Sequence, residues 1–201
     1  MKLIGSYTSP FVRKISVMLL EKGIVFEFVN DPPYEPGSRV VEYNPLGKVP
    51  ALVADDGEVF YDSRVIAEYL ELLACAPAFL PIDRHAALPV RQVEALADGV
   101  TEAASALFRE SQRPAEKQDE SWVLRQREKV LHGLDALEAL AQEKKLLNAE
   151  QITLADIATG CALGYLNLRR IIPNWCVGRP ELVKLAERLF ARESFARTMP
   201  P

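Results

Sequence analysis

Two short apolar runs, Ala51 to Ala54 and Val59 to Tyr61, flank Asp56-Gly57, and such a dipeptide between two such runs is the strongest short-range signal for a β-hairpin. The hairpin constrains what surrounds it. Just upstream, Gly47-Lys48-Val49-Pro50 enters the first strand through a proline, which has no N–H to give to the ladder. Some main chain is therefore left unpaired. If the Val49-Pro50 bond is cis, the turn leaves the N–H and C=O of Val49 facing outward, ready to pair with an extended peptide by strand addition. Downstream, Asp62-Ser63 stand where the hairpin ends and a helix begins, so their oxygens and the free N–H groups of the helix start suit a small ionic ligand. A short zwitterionic peptide meets both conditions.

The rest of the first third supports that edge. Lys2 to Gly5 is an apolar start, and Ser6-Tyr7-Thr8-Ser9-Pro10 punctuates it before apolar positions at Phe11, Ile15, Met18 and Leu19, predicting strand, loop and helix. Ser9 is a good N-cap, Pro10 a good first helical residue, and Lys22-Gly23 a stop. Ile24 to Val29 reads as a strand, and Ser38 to Tyr43 as a short helix. After the hairpin, Val65, Ile66, Tyr69, Leu70 and Leu73 fall on one face of a helix. This is the thioredoxin-like order of elements.

Around Ala74 to Pro81 the composition shifts to alanine and proline, and no strand-like run follows. The expected division is a first domain over 1–75, a linker over 76–83 and an all-helical domain over 84–201. Val93, Leu96, Val100, Ala104, Leu107 and Phe108 make one stripe, and Leu124, Val130, Leu131, Leu134, Leu137 and Leu140 another, predicting two long antiparallel helices. Thr153-Leu-Ala-Asp156 is a capping box with aspartate in place of the usual glutamate, with Ile152 and Ile157 at staple positions. The helix it opens is apolar on nearly every side and belongs at the centre of a bundle. A last helix is expected over Pro180 to Ala191.

Composition excludes several classes. A chain that is 49% hydrophobic and 26% charged, with net charge -4 and no basic tract, is an ordinary globular protein and no nucleic-acid binder. Cys75, Cys161 and Cys176 are odd in number and far apart, with only His85 and His132 to help, which predicts reduced thiols in a cytoplasm and no metal site. The start lacks a signal-peptide core, and the apolar run from Ala158 to Leu168 is too short to span a bilayer. A cytoplasmic protein with no membrane partner is expected.

The chain resembles the glutathione S-transferase family from Met1 to about Phe195. Ser9-Pro10-Phe11 is similar to the family's Ser- or Cys-Pro-aromatic opening of the first helix, Asn44-Pro-Leu-Gly-Lys-Val-Pro-Ala-Leu52 to its Asn-Pro-x-Gly-x-Val-Pro segment, and Asp62-Ser63 to its acidic-Ser pair. Thr-Ser-Pro-Phe-Val-Arg-Lys near the start resembles a small bacterial branch. The resemblance implies a homodimer of two-domain subunits, each with an N-terminal thioredoxin-like domain that binds glutathione as co-substrate and a C-terminal helical bundle, with a role in detoxification. It implies that Val49, beside Pro50, pairs its backbone with the cysteinyl part, that Asp62 and Ser63 hold the γ-glutamyl end, and that Lys48, where many members have Gln, meets the glycyl carboxylate through a charge-assisted bond. Asp98 is similar to an aspartate that in some classes reaches the partner subunit's glutathione amine. Ser9 takes the place of the catalytic hydroxyl, and helix position makes Phe11, Phe108, Arg109 and Tyr165 candidates for an acceptor pocket.

The chemistry required of Ser9 is modest. A free thiol has a pKa of about 8.5, and one hydrogen bond to an anion contributes roughly 1.5 to 3 kcal/mol, so a single donor lowers the thiol by about one to two units. The helix start adds favourable dipole. Serine cannot form the mixed disulfide a cysteine would, which ranks conjugation to a small electrophile above thiol-disulfide exchange. Capping alone also explains Ser9, and Thr8 and Ser6 are rival hydroxyls; Tyr7 reads as packing. A glutathione-binding or interaction protein without turnover, and a glutathione-dependent peroxidase or isomerase, stand as alternatives.

Overall fold

A computed structural model describes every residue except Ala74, so the start of the alanine and proline stretch lies outside the described residues. The chain forms two units, one from Met1–Phe79 with Ala191–Pro201 and one from Leu80–Phe190. The first unit is a small mixed sheet with helices and the second is all helical.

In the first unit the strands are β1 (Lys2–Gly5), β2 (Glu27–Asn30), β3 (Ala51–Val53) and β4 (Val59–Phe60), in the order β2-β1-β3-β4. β1 runs parallel to β2 and antiparallel to β3, and β3 antiparallel to β4. The strand expected from Ile24 begins three residues late. Its partner β1 starts at Lys2, which pairs with Glu27, so the residues before Glu27 have no strand to pair with; Ile24 instead donates to the Leu19 carbonyl. The helix expected over Ser38 to Tyr43 shrinks to one 3₁₀ turn, Val40–Glu42. Val40 caps a small core with Ile4 and Ala51, against which the Val49 side chain packs.

Two helices complete this unit, α1 (Pro10–Glu21) and α2 (Ser63–Leu72). α1 starts and stops where its caps are. Ser9 accepts from the Val12 N–H, and Gly23 takes a left-handed φ of 63° just past the C-cap Lys22. Of the face expected on α2, Ile66 and Leu70 are buried, but Val65 and Leu73 are exposed, because a short helix against so small a sheet covers only a narrow stripe. Buried Lys22 ties the unit together, donating to the carbonyls of Cys75 and Pro77 at 2.8 Å each and pairing with Glu71.

A short helix that sequence periodicity did not predict, α7 (Glu193–Arg197), packs on α1. Arg192 holds Glu21 through two bonds, at 2.8 and 2.7 Å, and Arg13 donates to the Phe195 carbonyl at 3.0 Å. The Arg192 bond keeps the Glu21 carboxyl below its ordinary range, aided by Ser194 and opposed by burial. Glu21 therefore contributes stability above its ordinary pKa, and that contribution is lost as pH falls through the depressed value.

β1 and α1 meet where Gly5 allows it. A Cβ on Gly5 would stand 2.5 and 2.7 Å from the two γ-carbons of Val12, and a β-branched side chain in a helix has no other comfortable rotamer. Gly5→Ala is expected to cost about 1–3 kcal/mol, the usual range for overpacking. In denaturant titrations the double variant Gly5→Ala, Val12→Ala should recover much of that loss.

The second unit holds α3 (Arg84–Ser111), α4 (Glu120–Glu143), α5 (Leu154–Arg169) and α6 (Pro180–Phe190). α3 packs on α4 and α5, and α6 on α4 and α5. As expected from its composition, α5 is buried almost throughout, and the capping box of Thr153 and Asp156 is complete. Glu138 of α4 reaches the start of α6 and accepts from the N–H groups of Glu181 and Leu182 at 3.1 and 2.8 Å. Among the described residues no helix is long and apolar enough to cross a membrane.

Candidate functional site

Topology gathers the N-terminal candidates. Ile4 pairs with Ala51 and Leu52 with Phe60, so the end of β1, the start of β3 and the end of β4 lie at one end of the sheet. The loop from Ser6 to Ser9, the Val49-Pro50 segment and the Asp62-Ser63 pair emerge there together.

At the first of these, Ser9 is half-buried and its Oγ accepts from the Val12 N–H at 3.3 Å. That bond uses a lone pair and leaves the hydroxyl proton for another acceptor. The rival hydroxyls of Ser6 and Thr8 lie 3.3 Å from each other and can share one proton between them. Tyr7 stacks on Phe28, their ring centres 4.7 Å apart, so it packs as expected.

The second segment is shaped by a residue whose role the sequence did not single out. Asn44 is almost fully buried; its Oδ1 accepts from the Leu46 N–H at 3.0 Å and its Nδ2 donates to the Lys48 carbonyl at 2.9 Å. Gly47 completes the turn at a φ of 61°. The motif's asparagine is thus the internal scaffold of the loop; an Asn that opens an Asn-Pro-x-Gly turn is a local signal for this. The Val49-Pro50 bond is cis, as is Tyr61-Asp62. With its side chain in the core and its main chain before β3, Val49 makes no backbone hydrogen bond among the described residues. Lys48 is exposed beside it.

At the third, Asp62 caps α2 by accepting from the Arg64 N–H at 3.0 Å. Ser63 is 3% exposed, and its hydroxyl has no partner among the described residues. The edge therefore offers bare main chain, a cation, a helix start and two hydroxyls. That combination fits a peptide with charged ends.

The remaining candidates are divided between the units. Phe11 is half-buried in the first unit, while Phe108, Arg109 and Tyr165 lie in the second. There Phe108 and Tyr165 both face Arg169, whose guanidinium carbon is 4.0 Å from the Phe108 ring centre and 5.6 Å from that of Tyr165. Arg109 is exposed. The sequence reading passed over Arg169, although its spacing of four from Tyr165 puts the two on one helix face. Asp98, in α3, is 3% exposed and is no free carboxylate.

Comparison with known proteins gives the family. Residues 8–73 match the glutathione S-transferase N-terminal domain and residues 96–193 the C-terminal domain. The chain is 57% identical to the uncharacterized GST-like protein YibF of Escherichia coli (strain K12) over 201 residues, 100% of this chain and 99% of that one. Among solved structures it is similar to a glutathione S-transferase of Methylobacillus flagellatus with glutathione bound, at 42% identity and a TM-score of 0.94, covering 100% and 99% of the two chains. It is also similar to a glutathione transferase family member of Pseudomonas fluorescens with bound S-(propanoic acid)-glutathione, at 35% identity and a TM-score of 0.84, with both chains fully covered. The chain belongs to the glutathione S-transferase family.

Proposed function

We propose that the protein is a cytoplasmic glutathione transferase that joins the glutathione thiolate to small electrophiles, acting as a homodimer in detoxification. The observation that carries this is the single sheet end at which the Ser9 hydroxyl, the open main chain of Val49 and the capped start of α2 meet. In this reading Ser9 donates to the sulfur, Val49 beside Pro50 pairs with the cysteinyl backbone, Asp62 and Ser63 hold the γ-glutamyl end, and Lys48 meets the glycyl carboxylate. Asp98 serves the partner subunit's glutathione. Phe108, Arg109 and Tyr165 of the helical unit border the acceptor. The solved relatives support glutathione as the co-substrate, one holding glutathione and another an S-substituted form of it.

The reaction this implies needs no redox partner. The thiol proton leaves to solvent, the sulfur attacks the electrophilic carbon, and the leaving group departs with its bonding pair. Calorimetry with glutathione at millimolar concentration, followed by conjugation of an aryl halide, tests the reading in two stages. Binding with turnover is the expected result. Binding without turnover would instead support a glutathione-binding protein, and no binding would remove the site.

A further inference from the structure

We infer that Arg169, with Phe108 and Tyr165, forms a carboxylate-binding subsite on the helical unit, so that the acceptors it selects are aromatic electrophiles bearing a carboxylate. The inference rests on the transferase reading above for its catalytic meaning, but the subsite itself rests on Arg169. Its guanidinium lies over the Phe108 ring at 4.0 Å and near the Tyr165 ring at 5.6 Å. Its Nε is buried without a hydrogen-bond partner, and among the described residues the side chain has neither a hydrogen bond nor an ion pair. Other buried cations have partners, and Arg188, whose Nε is likewise unmade, bonds the Ala149 carbonyl and Asp156 through its other nitrogens. Arg13 reaches the Phe195 carbonyl, Lys22 two carbonyls and Glu71, and Arg179 both Asp135 and the Trp175 carbonyl.

Leaving the buried Nε of a charged group unmade is costly. A structural arginine at the end of α5 would recover that cost by donating to the last carbonyls of the helix, yet Arg169 does not. The two rings instead hold the guanidinium plane in place by stacking, which leaves its fork for an anion. A carboxylate matches that fork in plane and spacing, and the edge of the half-buried Phe108 ring suits a flat aromatic body.

The test pairs two acceptors of similar shape, 4-chloro-3-nitrobenzoate and 4-chloro-3-nitrobenzamide, in which the thiolate forms a C–S bond and chloride leaves. Comparing each variant with the wild type for both acceptors cancels their intrinsic reactivities. Arg169→Met should raise KM for the benzoate by roughly tenfold to a hundredfold beyond any change for the benzamide, the worth of a charge-assisted pair. Arg169→Lys should keep part of the preference. Equal losses for both acceptors, or no loss for either, would overturn the subsite. If neither acceptor turns over, the transferase reading fails, and the subsite is decided by calorimetry of 4-nitrobenzoate against 4-nitrobenzamide on glutathione-saturated protein. Benzoate binding that vanishes in Arg169→Met upholds it; equal binding of the two ligands overturns it.

Discussion

Asp156→Ala is expected to destabilise the helical unit by about 3–5 kcal/mol, the range for removing one partner of a buried, hydrogen-bonded ion pair. Asp156 is wholly buried and collects four donors. It accepts from the Thr153 N–H at 2.9 Å and hydroxyl at 2.8 Å, the Asn148 N–H at 3.1 Å, and Arg188 at 3.1 Å. Alanine leaves the two backbone N–H groups and the Arg188 nitrogen without that acceptor, and the Thr153 hydroxyl with only the Leu146 carbonyl at 3.5 Å, at the start of α5, the helix on which α3 and α6 pack. Trp122 and Trp175 are the only tryptophans in the chain, and both lie in this unit. Tryptophan fluorescence in a guanidinium titration thus reads this unit, and an unchanged midpoint would show that the box is dispensable.

The same residue gives a pH dependence of defined sign. Burial pushes the Asp156 carboxyl above its ordinary value, against the lowering effects of Thr153, Asn148 and the Arg188 charge. The folded state then holds the proton more tightly than the unfolded chain does. The stability that this group contributes is complete below its unfolded pKa and declines as pH rises through the folded value. Asp156→Asn lacks this titration, so its deficit relative to wild type should shrink between pH 4 and pH 7.

How much of this was legible depended on whether the signal was local. The caps at Ser9, Asp62 and Thr153 are local, since a short polar side chain meets an N–H two or three residues on, and those at Ser9 and Thr153 are read directly. The turn at Asp56-Gly57 and the buried α5 were equally plain. β2 was misplaced at its start because a strand's limits belong to its neighbour, here to Lys2 of β1. α7 was missed for a related reason: five residues carry too little periodicity, and its support comes from Glu21 and Arg13 across nearly the whole chain.

The site divides in the same way. Ser9, Val49, Asp62 and Ser63 sit in motifs, but their convergence is a property of strand order that no single motif contains. Asn44 was within the quoted motif, yet its work is done by two side-chain bonds inside the loop. Arg169 belongs to no motif. What singles it out is a missing partner, which only coordinates can reveal.

Ser9→Ala is the variant expected to affect chemistry most. The Oγ accepts from Val12 and keeps its proton to donate, so under the proposed function alanine removes a hydrogen bond of roughly 1.5–3 kcal/mol to a thiolate. The pKa of bound glutathione should rise by about one to two units, read as thiolate absorbance against pH, and conjugation at pH 6.5 should fall about tenfold to a hundredfold. Alanine also removes a helix cap worth about 1 kcal/mol of stability, which makes a second variant necessary. Ser9→Thr keeps both a hydroxyl and a capping oxygen and should restore most of the thiolate. If alanine left the titration in place and only the melting point fell, Ser9 would be a cap alone, and the donor would have to be sought at Thr8, whose hydroxyl lies 3.3 Å from that of Ser6.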